Sequence, residues 1–216
     1  MRITLWALLL TCAAALTAAA ADGTSKRVER AANTLTALTE SGHGIPDAEI
    51  TQADCIAVIP GFKKVAAVVG VGHGRGFISC RNGSEWSAPG AITLDSGNLG
   101  VEIGGEEIDI VVISTDPGKR SKLLSDRFVV GSDASAAWGN GKSAHDDPNS
   151  KIRFYGLTKG VFAGFGLDGV TLKSDESGKK SLYGKTLTNN QIVDGEAHTP
   201  AVTQPLMAAL AHVSAR

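Results

Sequence analysis

The stretch VAAVVGVGHGRGFISC (residues 65–80) decides how this chain can fold. Its glycines stand at positions 70, 72, 74 and 76, a spacing of two that matches the alternation of side chains along a β-strand. Such glycines leave one face of the strand without side chains, so that another backbone can approach closely or the sheet can bend sharply. The spacing therefore predicts a strand within a strongly bent sheet.

Nucleotide-binding motifs do not account for these glycines. A dinucleotide-binding loop needs G-x-G-x-x-G ahead of a helix, but Arg75 and Phe77 occupy the positions of the final glycine. A phosphate-binding P-loop is excluded as well, because no Gly-Lys-Ser/Thr sequence follows.

Further patterns predict the other elements of the domain. Residues 24–40 form an amphipathic helix pattern, residues 46–50 begin a shorter helix, and residues 116–128 show a third apolar stripe. Strands are predicted at 55–60 (ended by Pro60-Gly61), 91–94, 101–105, 108–114, 152–157 and 159–172, with a polar loop at 139–150. The fold class is therefore α+β: a bent, barrel-like antiparallel sheet with an N-terminal helical segment and one or two packed helices.

Composition excludes one large class of partner. The chain has 216 residues, of which 43% are hydrophobic, and this suits one packed domain. It carries 21 Lys and Arg against 22 Asp and Glu, for a net charge of −1. Because nucleic-acid-coating proteins carry a clear basic excess, no nucleic-acid partner is expected.

The first 21 residues have the pattern of a signal peptide. Arg2 precedes an apolar run at 5–10, and small residues at 18–21 suit cleavage by signal peptidase. An uncleaved membrane anchor and lipid attachment at Cys12 remain as alternatives. We expect an exported protein, located in the periplasm or outside the cell, either free or associated with a membrane.

Export changes the interpretation of the remaining cysteines. In an oxidising compartment Cys55 and Cys80 favour a disulfide over a zinc site, which needs about four ligands. Two independent buried thiols are the alternative.

No motif predicts catalysis. The five histidines lie in separate segments and are interpreted as loop or surface residues, and Ser87 stands in W-S-A-P rather than G-x-S-x-G. We therefore expect no catalytic residues, no metal, no cofactor and no enzyme activity.

Basic residues are concentrated in a few places. Lys26, Arg27 and Arg30 lie on the first predicted helix, Lys63 and Lys64 precede the glycine-rich strand, and further arginines follow in and after that strand. A basic amphipathic helix can lie on a membrane surface. The alternative is a helix that packs its apolar face on the core and leaves its charges in solvent.

Seven ordered motifs carry a family resemblance. They are ADCIAVIPGFKK (53–64), GHGRGFISCR (72–81), WSAP (86–89), IGGxxIDIV (103–111), GSDASAA (131–137), KGVFAGFGLDG (159–169) and YG (183–184). In this order they resemble the SYLF domain, over residues 24 to about 195. The chain departs from the usual pattern at Asn140, where proline is common, and at His73, where tyrosine is usual.

The resemblance implies a lipid-binding module. Eukaryotic members are similar in binding phosphoinositides and other anionic lipids, and some bind actin, which an exported chain would not meet. The expected partner is thus an anionic phospholipid or membrane surface in the cell envelope; an envelope structural or protein-interaction module, with a protein partner, is the alternative. The lipid-binding residues that the resemblance implies are Lys26, Arg27, Arg30, Lys63, Lys64, Arg75, Arg81 and Lys159. The domain is expected to span 22–195, followed by a tail at 196–216 that is either loose or ends in a short helix.

Overall fold

A computed structural model describes residues 23–40, 44–66, 70–97, 104–130, 134–138, 150–158 and 169–215. The predicted signal peptide, residues 139–149 of the predicted polar loop, and residues 159–168 of the second glycine-rich stretch lie outside these ranges. The same holds for residues 101–103 of the strand predicted at 101–105.

The described residues form nine strands and six helices. The strands are β1 (Cys55–Ala66), β2 (Gly70–Asn82), β3 (Glu85–Trp86), β4 (Gly90–Gly97), β5 (Gly104–Ser114), β6 (Arg127–Val129), β7 (Ala134–Trp138), β8 (Ile152–Thr158) and β9 (Val170–Ser174). The helices are α1 (23–40), α2 (Asp47–Gln52), α3 (Arg120–Leu123), α4 (Glu176–Tyr183), α5 (Asn189–Gln191) and α6 (Gln204–Ser214).

The strands belong to one curled sheet. Its order is β6-β9-β4-β2-β1-β5-β8-β7, with β3 paired to β2 off this path. Among the described pairs, only β7 and β8 run parallel, and the others are antiparallel. The predicted α+β class with a bent antiparallel sheet is confirmed.

Each face of the sheet has its own apolar core. On the inner face, Ile59, Phe62 and Ile110 join one buried cluster. On the opposite, helix-covered face, Val58 and Phe77 pack in a second cluster with residues of α1, α2 and α6. The two clusters follow from strand alternation, because successive residues of a strand point to opposite faces.

Helix α1 packs its apolar stripe on the helix-covered face. Val28, Ala31, Leu35 and Leu38 recur at helical spacing and are buried in that cluster. The structure therefore shows the core-packing alternative for this helix, with its basic residues on the remaining surface.

The glycine-rich strand has the predicted side-chain-free face. Gly72, Gly74 and Gly76 are buried in β2, and a Cβ at each of them would meet atoms of the paired strand β1. A Cβ at Gly74 would lie 2.6 Å from Ile59 Cγ2, and at Gly76 it would lie less than 3.0 Å from the Val58 carbonyl oxygen. The glycines therefore allow β1 to approach β2 closely, as their spacing predicted.

The prediction that the first strand ends at Pro60-Gly61 is wrong. Strand β1 continues to Ala66, and its pairing with β2 shifts register between Val58 and Lys63. Gly61 has a φ of 61°, a left-handed conformation that glycine adopts readily. Pro60 and Gly61 therefore form a bulge within a long strand rather than its end.

The helix predicted over 116–128 is shorter than expected. A 3₁₀ turn at Pro117–Lys119 leads into α3, which ends at Leu123, and Arg127–Val129 form β6 instead. The hydroxyl of Ser125 donates to the Lys122 carbonyl over 2.6 Å, and such a bond from a side chain competes with helix continuation. Phe128 then packs against the inner core as part of a strand.

Two remaining predictions concern the cysteines and the tail. Cys55 and Cys80 face each other across β1 and β2 and form a disulfide, as predicted. Residues 204–214 form α6, which is the helix alternative for the tail. Leu206 and Leu210 of this helix are buried in the helix-covered core.

Candidate functional site

A cleft of about 360 Å³ lies between the first half of α1 and the strands β1 and β2. Of the ten described residues that line it, five are lysine or arginine and none is aspartate or glutamate. Since the whole chain is nearly neutral, this concentration of positive charge is local. The cationic residues of this basic cleft are Lys26, Arg27, Arg30, Lys63 and Arg75, and His73 lies among them.

Local periodicity explains why these residues meet. On α1 the basic residues lie beside the buried stripe, so they border the helix where it rests on the sheet. On the strands, Lys63 lies directly opposite His73 in the register of β1 and β2, and Arg75 follows on the same face of β2. One helix edge and one strand face thus supply all of the charges.

The bulge of β1 forms part of the wall of the basic cleft. The Gly61 N–H donates to Asp109 Oδ1 over 2.7 Å. A Cβ at Gly61 would lie less than 3.0 Å from Arg30 Nη2, which donates to Glu107 Oε1 over 2.8 Å. Only a residue without a side chain leaves room for the guanidinium of Arg30 above the bulge.

Arg75 is anchored at the start of α4. Its Nε donates to Asp175 Oδ2 over 2.7 Å, and its Nη2 donates to the Ser177 hydroxyl over 2.6 Å. Asp175 also caps α4 by accepting the Gly178 N–H over 2.9 Å. Burial alone would raise the pKa of Asp175, but the bonds from Gly178, Arg75 and Ser177 outweigh it and hold that pKa below its usual value.

Arg27 and Lys63 are the least neutralised cations of the basic cleft. Burial lowers the pKa of Arg27, and the neighbouring Arg75 guanidinium lowers it further, whereas Asp175 acts in the opposite direction. Among the described residues, neither Arg27 nor Lys63 forms an ion pair. Two guanidinium groups close enough to repel each other favour an anion between or beside them.

His73 lies at the edge of the basic cleft toward β4. Its Nδ1 is 2.6 Å from Asp95 Oδ1, and the second oxygen of Asp95 accepts from Lys173 Nζ over 2.8 Å. His73 is exposed, as predicted for a surface histidine. It lies in strand β2 rather than in a loop. The sequence does carry a signal for this position, because His73 stands two residues before Arg75 and alternate residues of a strand lie on the same face.

Two of the eight lipid-binding residues implied by the resemblance, Lys64 and Arg81, do not line the basic cleft. Lys64 is only 4% exposed and follows Phe62 on the inner face. Arg81 stacks on the Trp86 ring at 4.2 Å, in a separate groove of about 450 Å³ bordered by α6. Lys159 lies outside the described residues.

The described residues form neither a metal site nor a membrane-spanning helix. Within the described ranges, no three His, Cys, Asp or Glu side chains come together as ligands of a metal ion would. None of the described helices has both the length and the apolar composition needed to cross a membrane. The arrangement of the basic cleft offers guanidinium and ammonium donors, which bind phosphate and carboxylate oxygens.

Comparison with known proteins identifies relatives of the chain. An SH3 domain-containing protein of Schizosaccharomyces pombe is 29% identical over 62% of this chain and 33% of its own length. Protein YSC84 of Saccharomyces cerevisiae is 27% identical over 62% of this chain and 31% of its own length. The SH3 domain-containing YSC84-like protein 1 of Xenopus laevis is 28% identical over 75% of this chain and 50% of its own length.

The chain thus spans about a third of the length of the first two relatives and half of the third. No solved structure matches it. A family model, Ysc84, described as Las17-binding protein actin regulator, matches residues 95–213. Because that match covers more than half of the chain and confirms the resemblance seen in its motifs, the chain belongs to the Ysc84 (SYLF) family.

Proposed function

We propose that this protein is a non-catalytic module that binds anionic phospholipid headgroups in the cell envelope through its basic cleft. The observation that carries the proposal is the lining of the cleft, with five cations and no carboxylate among its described residues. A phosphate group entering the cleft would meet donors from α1, β1 and β2 at once. Guanidinium groups suit such a ligand because they donate two parallel hydrogen bonds to phosphate oxygens.

The packing of α1 defines the kind of membrane contact that we propose. Because Val28, Leu35 and Leu38 are buried against the sheet, the apolar stripe of α1 is occupied and does not enter a bilayer in this conformation. Contact through this helix would therefore be electrostatic, through Lys26, Arg27 and Arg30. Each basic group near an anionic surface adds about 1 kcal/mol, so that binding would be reversible and sensitive to salt.

Location is part of the proposal. We propose that residues 1–21 direct export, which would place the basic cleft in the periplasm or outside the cell. The Cys55–Cys80 disulfide supports this, because disulfides persist in oxidising compartments.

Sedimentation with lipid vesicles tests the proposal. Purified protein without residues 1–21 is mixed with phosphatidylcholine vesicles, with or without phosphatidylglycerol, at low and high salt. We expect sedimentation only with the anionic vesicles and its loss at high salt. Combined replacement of Arg27 and Lys63 by alanine should weaken binding about tenfold or more, since two charges near the surface are removed.

A matched control separates the basic cleft from charge in general. Lys122 is an exposed lysine on α3. Arg120 of the same helix donates a hydrogen bond to Asp54, which lies directly before the start of β1, whereas Lys63 lies near the end of that strand. Lys122→Ala should retain binding. The proposal would be overturned if the protein failed to sediment with the anionic vesicles as well as with the neutral ones. Equal losses of binding for Lys122→Ala and Arg27→Ala would also overturn it.

An envelope protein-interaction module is the second candidate. It is favoured by the names of relatives, which include LAS seventeen-binding protein 3 of Saccharomyces cerevisiae and SH3 domain-containing proteins. If vesicles fail to bind, affinity capture of envelope proteins on the same purified protein is the measurement to make.

A further inference from the structure

We propose that protonation of His73 strengthens anion binding in the basic cleft, so that the affinity of the site rises as the pH falls. This inference rests on the proposed function and adds its regulation. An imidazole changes its charge between pH 5 and 8, unlike the lysines and arginines around it. Among the described lining residues, His73 is therefore the one whose charge can vary under ordinary conditions.

The strand register places His73 inside the charge pattern of the basic cleft. Lys63 lies directly opposite it on β1, and Asp95 lies directly opposite it on β4. The imidazole is 60% exposed, so that both protons and ligands reach it. A cation formed at this position would border the same space as the ammonium of Lys63 and the guanidinium of Arg75.

Charged groups of both signs face this position. Asp95, with Nδ1 of His73 at 2.6 Å, stabilises the imidazolium, and Lys173 shares that carboxylate. The cations of β1, β2 and α1 oppose protonation while the cleft is empty, but two of them are partly neutralised: Arg30 by Glu107 on β5, and Arg75 by Asp175 at the start of α4. The facing cations of β1, β2 and α1 are Lys63, Arg75, Lys26, Arg27 and Arg30.

Asp95 remains ionised between pH 5 and 8. Burial alone would raise its pKa, but the bonds from Lys173 and His73 outweigh burial and hold the pKa below the usual value for aspartate. The charge of Asp95 is therefore constant between pH 5 and 8.

A bound anion reverses the balance at His73. In the empty cleft, Lys63 and Arg75 disfavour a further positive charge, whereas an anion among them attracts it. By linkage, the factor by which protonation tightens anion binding equals the factor by which the anion tightens proton binding. We expect about fivefold tighter binding at pH 5.5 than at pH 7.5, a factor at the lower end of known couplings between sites.

Vesicle sedimentation at two pH values tests this inference. The probe is phosphatidylglycerol in phosphatidylcholine, at constant ionic strength, because the phosphodiester keeps one negative charge over this range. We expect His73→Gln to lose the increase at pH 5.5. The control variant His212→Gln, at an exposed position of α6, should keep that increase.

A second measurement does not depend on a variant. The titration of the His73 imidazole in the unaltered protein is followed by NMR with and without sulfate, whose charge is constant over this range. We expect its midpoint to move to higher pH when sulfate is present. An unmoved midpoint would overturn the inference.

The outcomes separate this inference from the proposed function. If the unaltered protein binds anionic vesicles equally at both pH values, or if His73→Gln keeps the increase, the inference is wrong and the lipid module stands. If anionic vesicles do not bind at either pH, the proposed function fails, and the inference fails with it.

Discussion

Gly76 lies so close to Val58 that no side chain fits between them, because a Cβ would stand less than 3.0 Å from the Val58 carbonyl oxygen. The neighbouring atoms belong to the backbone of β1, which cannot yield as a flexible side chain could. We expect Gly76→Ala to lower the free energy of unfolding by about 3 kcal/mol, through overpacking of Gly76 against the backbone of β1.

Gly97→Ala is the matched control for this prediction. Gly97 also lies in a strand, but nothing is within 4 Å of the position of its Cβ. Its substitution should change stability by about 0.5 kcal/mol or less. Urea unfolding of both variants measures the difference, and equal effects would contradict the role assigned to the close approach of β1 at Gly76.

Gly61→Ala should disturb the basic cleft itself. The new methyl group would collide with the Arg30 guanidinium and the Glu107 carboxylate, in addition to the cost of about 1 to 3 kcal/mol for a positive φ. We expect both lower stability and severalfold weaker sedimentation with phosphatidylglycerol vesicles.

Gly83→Ala provides the same backbone strain without the collision. Gly83 has a φ of 66° and nothing within 4 Å of its Cβ position. This variant should be destabilised by strain alone and should bind vesicles as the unaltered protein does. If both variants lose vesicle binding to the same extent, the bulge does not act through Arg30.

The elements of the fold follow closely from local sequence patterns. Helix α1 and the glycine-rich strand are predictable because burial on one face leaves a period of 3.6 or of 2 in the sequence. The errors occur where a local signal has two structural solutions. Pro60-Gly61 can end a strand or form a bulge within it, and the apolar residues near Phe128 fit a helix or a paired strand. Tertiary pairing with β5 and β9 decides both cases.

The basic cleft was predictable only in part. Its cations were singled out as clusters along the chain, but which of them meet depends on the register between β1 and β2. That register depends on the bulge, which places Lys63 opposite His73 and sends Lys64 to the inner face. The sequence places Arg81 near Arg75, in the same strand. Arg81, however, lies just beyond the part of β2 that pairs with β1, and it stacks on Trp86.

Reduction of the Cys55–Cys80 disulfide should destabilise the protein. The bond closes a loop of 25 residues, and restricting such a loop in the unfolded chain stabilises the folded state by about 3 kcal/mol. We expect the thermal midpoint to fall when a reductant is added. A variant with both cysteines replaced by alanine should already have the lower midpoint and should not respond to the reductant. A response of that variant would show that the reductant acts elsewhere.

Asp175 should make stability depend on pH in the acid range. Its pKa is lowered in the folded protein, so the unfolded chain takes up the proton first as the pH falls. The stabilisation is therefore complete above the unfolded value, about pH 4, and is lost as the pH falls further through the folded value.

Asp175→Asn isolates this charge, since asparagine also caps a helix N-terminus well. At pH 7 we expect the variant to be less stable by about 2 kcal/mol, because the charged bonds between Asp175 and Arg75 are lost. The difference between the two proteins should begin to shrink below about pH 4, where the unfolded aspartate takes up a proton, and should vanish only as the pH falls through the lower pKa of Asp175 in the folded protein. Asp126→Asn, in an exposed turn, is the control and should follow the original protein at each pH. A constant difference between Asp175→Asn and the original protein from pH 7 to pH 3 would mean that the carboxylate acts through shape and capping rather than through its charge on Arg75.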